Sequence, residues 1–332
     1  MADFPLLSYD EVPAEAKVNL LLGNGFSRGL HEGFQYGSLK QKAEEEPSLV
    51  SDAVRRLFTT LATDDFEKIL ARLVEAQEVN RSHGIDCDAL VASHRITREA
   101  LLGAVSRTHP ERSSLDPAKL ESYRPALRQF ERIFTTNYDL LLYWIAALAA
   151  GGEKSFEGFC DFFWGQDGSF DAGDTKHPPS CTRIYYLHGA LFLSRKDDRT
   201  RKVRSQPAKS LLTLLRSSLT AAAPVFVSEG DSAAKRRSIA QSDYLEWAYG
   251  ELEKLDEGIT VFGHALQRQD SHIVAALCRK GGRPVAVGIY ENDAKKAFAE
   301  RTRIYGCFAE HDRGDDVVFF DSKTFTLARA AS

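Results

Sequence analysis

Short apolar runs rich in β-branched or aromatic residues recur along this chain, and the stretches between them repeat their apolar positions at helical spacing. The runs are VNLLL (18–22), RIFTT (132–136), RIYYL (183–187), PVFV (224–227), ITVF (259–262) and PVAVGI (284–289), with VVFF (317–320) as a further one. Helical spacing marks 51–62, 65–79, 92–106, 116–130, 139–150, 208–220, 242–256, 270–280 and 293–304. Strands covered on both faces are apolar throughout, and parallel neighbours need crossovers long enough to hold a helix. The alternation therefore predicts an α/β chain: a Rossmann-like three-layer fold on a mainly parallel sheet of six or seven strands.

The helical pattern between Leu22 and Arg132 exceeds what one crossover needs, so a large helical insertion is expected over 40–130 within a single domain spanning 1–332. A loop and helix excursion is expected over 190–223. The Gly, Pro, Asp and charge content of 154–180 and 194–209 predicts loops. The second is basic, with Arg195, Lys196, Arg199, Arg201, Lys202, Arg204 and Lys209. It reads as a solvated flexible loop, with an anionic-ligand or nucleic-acid contact as the sharper alternative.

Composition narrows the partners. A formal charge of −4 supplies no overall basic field for non-specific nucleic-acid binding, which is therefore not expected. Neither a secretory leader nor a run of apolar residues long enough for a membrane span is present, so a cytoplasmic protein without membrane association is expected. The five cysteines, Cys87, Cys160, Cys181, Cys278 and Cys307, form no CxxC pair, which leaves no ribbon-type zinc site, and no metal is expected.

Ligands of parallel α/β sheets bind beyond the carboxyl ends of the strands, and four such ends carry unusual residues. GNGFSRG (23–29) could cradle a diphosphate on the backbone of Gly23, Asn24, Gly25 and Phe26 with the hydroxyl of Ser27 and the charge of Arg28, or could be a tight turn. His31, Glu32, Phe34 and Tyr36 would then form a flap or a surface loop. TTNYD (135–139) crowds Thr135, Thr136, Asn137 and Asp139 where one helix cap would suffice; an amide can orient a ribose hydroxyl or water, and a carboxylate can fix a ribose. His188, followed by Gly189, is placed to act as a general base or to serve the structure alone. GHALQRQDSHI (263–273) sets Gly263, His264 and Asp270 at a fourth end. Asp270 reads as an N-cap or as a contact to a nucleotide's ribose or adenine edge, and His264 and His272 as caps or solvent-facing groups.

In order, GNGFS, TTNYD, LHG and GHAL-x-x-x-D-x-H-I resemble the nucleotide-binding set of the sirtuin superfamily, in its bacterial NAD-hydrolysing, defence-associated branch. DFEKIL (65–70) and PVFVSEGDSAAKRRSIAQSDYLEWAYGEL (224–252) are similar to segments of one subfamily of such proteins. The resemblance implies a Rossmann-like fold with NAD as substrate, the Gly23–Ser27 loop on the phosphates, Asn137 and Asp139 around the nicotinamide ribose, and His188 as base. It implies an NAD glycohydrolase releasing nicotinamide and ADP-ribose or a cyclic form, an effector of antiviral defence by NAD depletion. Control by a homo-oligomer or by a regulatory or sensor protein is expected of such an enzyme. The alternative is a non-catalytic sensor of NAD or an ADP-ribose-derived nucleotide. Ala265 stands where family members carry serine, and the four-cysteine zinc module of sirtuin deacylases is missing, which argues against protein deacylation.

Overall fold

The computed structural model describes residues 4–31, 40, 45, 51–64, 66–147, 157–165, 167–174, 180–196, 199–203, 211, 214, 224–227, 231–325 and 327. A short strand β1 (Leu6–Leu7) precedes β2 (Asn19–Leu22), which runs into helix α1 (Asn24–Leu30). Helices α2 (Asp52–Thr60), α3 (Phe66–Ser82), α4 (Asp88–Thr108) and α5 (Pro117–Leu127) follow before the chain re-enters the sheet as β3 (Arg132–Thr135). Next come α6 (Leu141–Ala147), β4 (Phe159–Cys160) and β5 (Thr182–Tyr186). An excursion holds β6 (Gly189–Lys196), β7 (Arg199–Lys202) and β8 (Pro224–Phe226). Helices α7 (Ser232–Ala240) and α8 (Asp243–Glu253) lead back to β9 (Ile259–Phe262). The chain closes with α9 (Ser271–Cys278), β10 (Val285–Ile289), α10 (Ala294–Ala309) and β11 (Val317–Asp321).

Among the described residues the main sheet has eight strands in the order β1-β11-β10-β9-β2-β3-β5-β4, and every neighbouring pair is parallel. This is the expected Rossmann-like α/β architecture. From β2 the chain winds outward through β3 and β5, and from β9 it winds the other way through β10 and β11. The winding therefore reverses between β2 and β9, and the crevice beyond their carboxyl ends is where such sheets bind ligands.

Sequence pattern and burial agree at the centre. All four residues of β2 are buried, as are Ile133, Phe134 and Thr135 of β3, which explains why these strands read as unbroken apolar runs rather than as alternations. Helix α6 is buried at all seven positions, so LLYWIAA has no polar face to display. The insertion falls where expected, with α2 to α5 inside 40–130; Phe58 and Phe66 pack edge to face at 4.8 Å where α2 meets α3.

Several expectations need correction. The main sheet is wider than six or seven strands because β1 and β4 are two-residue edge strands, too short to leave a pattern. PVFV is no part of it: β8 pairs with β6 in a separate antiparallel sheet, β7-β6-β8. The basic segment is strand rather than loop at 194–196 and 199–202, where β6 and β7 pair antiparallel, Ser194 with Arg201 and Arg195 with Thr200. Lys202 is buried against Asp161 and over the Tyr143 ring at 4.9 Å, and Arg201 lies 3.4 Å from Asp167, so these two cations are held by acids of the same chain, while Arg195 and Arg199 are exposed. Arg204 and Lys209 lie outside the described residues, as does most of the expected helix 208–220. Helix α7 was not anticipated, because SAAKRRSIA has few apolar positions from which to read a face.

Candidate functional site

The four polar strand ends belong to four adjacent strands. Leu22 of β2 is paired with Phe262 of β9 on one side and with Thr135 of β3 on the other, and Thr135 is paired with Tyr186 of β5. Asn137 and His188 thus each stand two residues beyond a paired position on neighbouring strands, whose spacing is about 4.8 Å. The Leu187 amide donates to Thr135 O at 2.8 Å and the Leu191 amide to Tyr138 O at 2.8 Å, which binds the two ends together.

Glycine is required where the ends of β2 and β9 interlock. A Cβ at Gly25 would come within 2.6 Å of Gly263 Cα, and one at Gly23 within 2.5 Å of His264 Cα. Gly263 has φ +70 and would itself meet Phe26 N at 2.5 Å. The Gly25 amide donates to Gly263 O at 2.8 Å and the Gly23 amide to Phe262 O at 3.0 Å. Two donors expected to face a diphosphate are thereby engaged by the next strand end. Phe26 is buried edge to face on Tyr123, 6.0 Å between ring centroids, so it anchors α1 in the core. Asn24 opens α1 and His31 caps its C-terminal end; Glu32, Phe34 and Tyr36 lie outside the described residues.

One polar node joins β2 and β3. Asn137 Nδ2 donates to Gly23 O at 3.0 Å and to Ser27 Oγ at 2.9 Å, while the Ser27 hydroxyl donates to Asp139 Oδ2. Because Gly23 O can only accept, the amide group of Asn137 must face it, which leaves Oδ1 as an acceptor with no partner among the described residues. The other oxygen of Asp139 accepts the amide of Leu141, the first residue of α6, at 2.8 Å. Burial raises the Asp139 carboxyl pKa, and the bonds from Ser27 and Leu141 oppose that rise. Thr135 is buried and its hydroxyl accepts the Asn137 amide at 3.0 Å; Thr136 is half-buried, and its own amide reaches Leu22 O at 3.1 Å. Both oxygens of Asp139 and the hydroxyls of Ser27 and Thr135 therefore hold the site's frame.

A second node joins β5 to the segment after β9. His188 Nε2 and His272 Nε2 lie 2.9 Å apart, and both residues are buried. Lys235 Nζ donates to Asp270 Oδ1 at 2.8 Å, while His264 Nε2 stands 4.0 Å from Asp270 Oδ2. His264 Nδ1 accepts the Leu266 amide at 3.0 Å, so its proton when neutral is on Nε2, facing that carboxylate. Burial, together with Lys235 and His272, lowers the His188 pKa well below the ordinary imidazole value; burial likewise pulls His272 down to about 4 and lowers His264. Burial works to raise the Asp270 carboxyl, but the cationic surroundings led by Lys235 hold it down at about 2. With the imidazoles neutral at pH 7, Lys235 is the cation that keeps Asp270 ionised. Asp270 is at the N-cap position of α9 without a capping bond, its carboxylate being turned to Lys235 instead.

His272 corrects an expectation: it neither caps its helix through its ring nor faces solvent, but meets His188. Gly189, with φ +79, opens β6 directly behind His188. Lys235 and Ser232 were not anticipated as site residues, nor was His109, whose Nε2 accepts the Leu140 amide at 2.8 Å and so ties the end of α4 to the TTNYD turn. Donor atoms of His188, Asp270 and His272 all lie within 4.8 Å of one another, a spacing that a metal ion could bridge. The group already holds a cation of its own, Lys235, which neutralises Asp270. Among the described residues no helix is long and apolar enough to cross a membrane.

Fold and site together define an α/β protein of Rossmann-like topology with a buried cluster of polar and histidine side chains at its switch point. More particularly, the chain belongs to the family described as Domain of unknown function (DUF4917), whose profile matches residues 20–327. No curated protein matches it.

Proposed function

We propose that this chain is a sirtuin-like NAD glycohydrolase, cleaving the bond between nicotinamide and ribose to give nicotinamide and ADP-ribose or its cyclised form. The observation that carries the reading is the convergence of the four resembling motifs on adjacent strand ends at the switch point. Loss of nicotinamide leaves an oxocarbenium-like sugar, so the site must position the ribose and accept a proton from the incoming hydroxyl. Asn137 suits the first task, since its amide is held by Gly23 and Ser27 while Oδ1 remains to accept from a ribose hydroxyl or water. His188 suits the second: it is neutral at pH 7, and its Nδ1 has no partner among the described residues. Asp139 acts behind them by orienting Ser27. The same reading makes the protein a cytoplasmic effector of antiviral defence by NAD depletion, held in check by oligomerisation or by a sensor protein.

The test is to incubate purified protein with NAD, at concentrations that include any oligomer, and to measure free nicotinamide. Release by the parent, lost in His188→Ala and Asn137→Ala variants whose melting resembles the parent's, is expected. Tight NAD binding without release would replace the enzyme by a nucleotide sensor, and absence of both would end the NAD reading.

A further inference from the structure

We propose that His272 is a positioning residue for His188 and the first acceptor in a proton path from His188 through His272 to Ser232. Its chemistry rests on the NAD-cleavage reading, whereas its geometry does not.

Two neutral imidazoles facing each other through nitrogens 2.9 Å apart must share one proton: two would collide, and none would leave two lone pairs in repulsion. The His272 ring cannot easily turn away. Its backbone amide donates to Ser232 Oγ at 2.6 Å, its carbonyl accepts the Tyr249 hydroxyl at 2.8 Å, and its Nδ1 lies 3.3 Å from Ser232 Oγ. A continuous chain of exchangeable groups therefore joins His188 to Ser232. Ser232 is half-buried at the first position of α7, next to its exposed cap Asp231, so the chain ends near solvent.

The path solves a charge problem. A proton taken by His188 would create an imidazolium in a closed site facing the Lys235 ammonium, with Asp270 already committed to that lysine. Passing it on removes the charge. As the bond to nicotinamide breaks, nicotinamide leaves with the bonding electron pair as a neutral base, and a water oxygen bonds to the anomeric carbon. The water's proton goes to His188 Nδ1, the Nε2 proton of His188 goes to His272 Nε2, and the Nδ1 proton of His272 goes to Ser232 Oγ, whose own proton enters solvent. The balance is NAD plus water giving nicotinamide, ADP-ribose and one proton. Besides His188, the titratable and charged groups around His272 are Asp270 and His264, Lys235 and Arg236 from α7, and Tyr249 from α8.

The experiment compares His272→Ala, His272→Gln and Ser232→Ala with the parent in nicotinamide release across pH, with folding checked by melting. A glutamine oxygen can accept from His188 Nε2 and keep its tautomer, yet cannot pass a proton on. Alanine is expected to lower kcat by about 100-fold with KM for NAD nearly unchanged, and glutamine to recover roughly tenfold of that with the acid limb of the pH profile displaced. Ser232→Ala is expected to lower kcat by roughly tenfold. Folded His272 variants with the parent's kcat and pH profile would overturn the proposal.

Should the parent release no nicotinamide, that failure belongs to the NAD reading, and nitrogen NMR of histidine-labelled protein still decides the proton sharing. Opposite tautomers are expected, with the proton on Nε2 of His188 and on Nδ1 of His272, and His272→Gln should leave the His188 tautomer in place. Two imidazoles of the same tautomer would overturn the path.

Discussion

The node of Ser27, Asn137 and Asp139 and the node of His188, His264, His272, Asp270 and Lys235 sit on neighbouring strand ends, yet they are built on opposite principles. In the first, an amide, a hydroxyl and backbone groups surround one carboxylate, and the partners that hold it do not titrate near neutrality. In the second, an ammonium, a carboxylate and three imidazoles satisfy one another, so its bonds depend on where the protons are. The first node has a single titrating group, Asp139, whose carboxyl pKa burial raises. The second can move a proton, and its stability must follow pH.

The sharpest way to break this contrast is to remove one partner from each node. Lys235→Met leaves the Asp270 carboxylate without its cation in a largely closed site, an expected loss of about 3–5 kcal/mol. Ser27→Ala removes one neutral donor from Asp139 and one acceptor from Asn137, an expected loss of about 1–3 kcal/mol. Denaturant titration at pH 7 measures both. Equal losses would mean that the second node carries no more charge than the first.

Acid sharpens the same contrast. An imidazole whose folded pKa lies below its unfolded value takes up its proton more readily in the unfolded chain, so it destabilises the fold as pH drops from the unfolded pKa through the folded one. For His272, held at about 4, the window runs from about 6.5 to 4 and the loss is on the order of 3 kcal/mol. His188 and His264 add in the same direction. Asp270, held at about 2, contributes stability that is complete above its unfolded pKa near 4 and is lost only below that. Melting temperature should therefore fall steeply between pH 6.5 and 4. His272→Gln should flatten that fall; an unchanged slope in that variant would contradict the buried, neutral state of His272.

The two nodes also differ in how far they could be read from sequence. Asn137, Asp139 and His188 were legible because strand ends announce themselves: a run apolar on both faces stops, and polar residues follow. Their partners were not. Ser27 meets Asp139 across 112 positions, and His188 meets His272 across 84, and local spacing carries no trace of such contacts. Lys235 was hidden for another reason. In AAKRRS it looks like a solvated charge, and only the fold shows that it is buried against Asp270 while Arg236 and Arg237, its neighbours, pair with Glu246 and Glu78 nearer the surface. The glycines of GNG were visible, but their reason was not: a phosphate and a crossing backbone impose the same demand for a missing Cβ.

The smallest effects separate two adjacent hydroxyls. Thr135 and Thr136 look equivalent in TTNYD, and valine matches the shape of either side chain apart from the hydroxyl. Thr135 is buried and its oxygen accepts the Asn137 amide at 3.0 Å, so Thr135→Val strands a donor at the turn that aims the carboxamide. The expected loss is about 1–2 kcal/mol. Thr136 is half-buried, and its hydroxyl reaches Leu22 O only at 3.5 Å, a contact already satisfied by the residue's own backbone amide at 3.1 Å. Thr136→Val should therefore stay within about 0.5 kcal/mol of the parent. Denaturation of the two variants side by side reads the difference directly. Equal losses would mean that the Asn137 turn is held by its side-chain bonds to Gly23 and Ser27 alone, and that the first node is narrower than the hydrogen bonds around it imply.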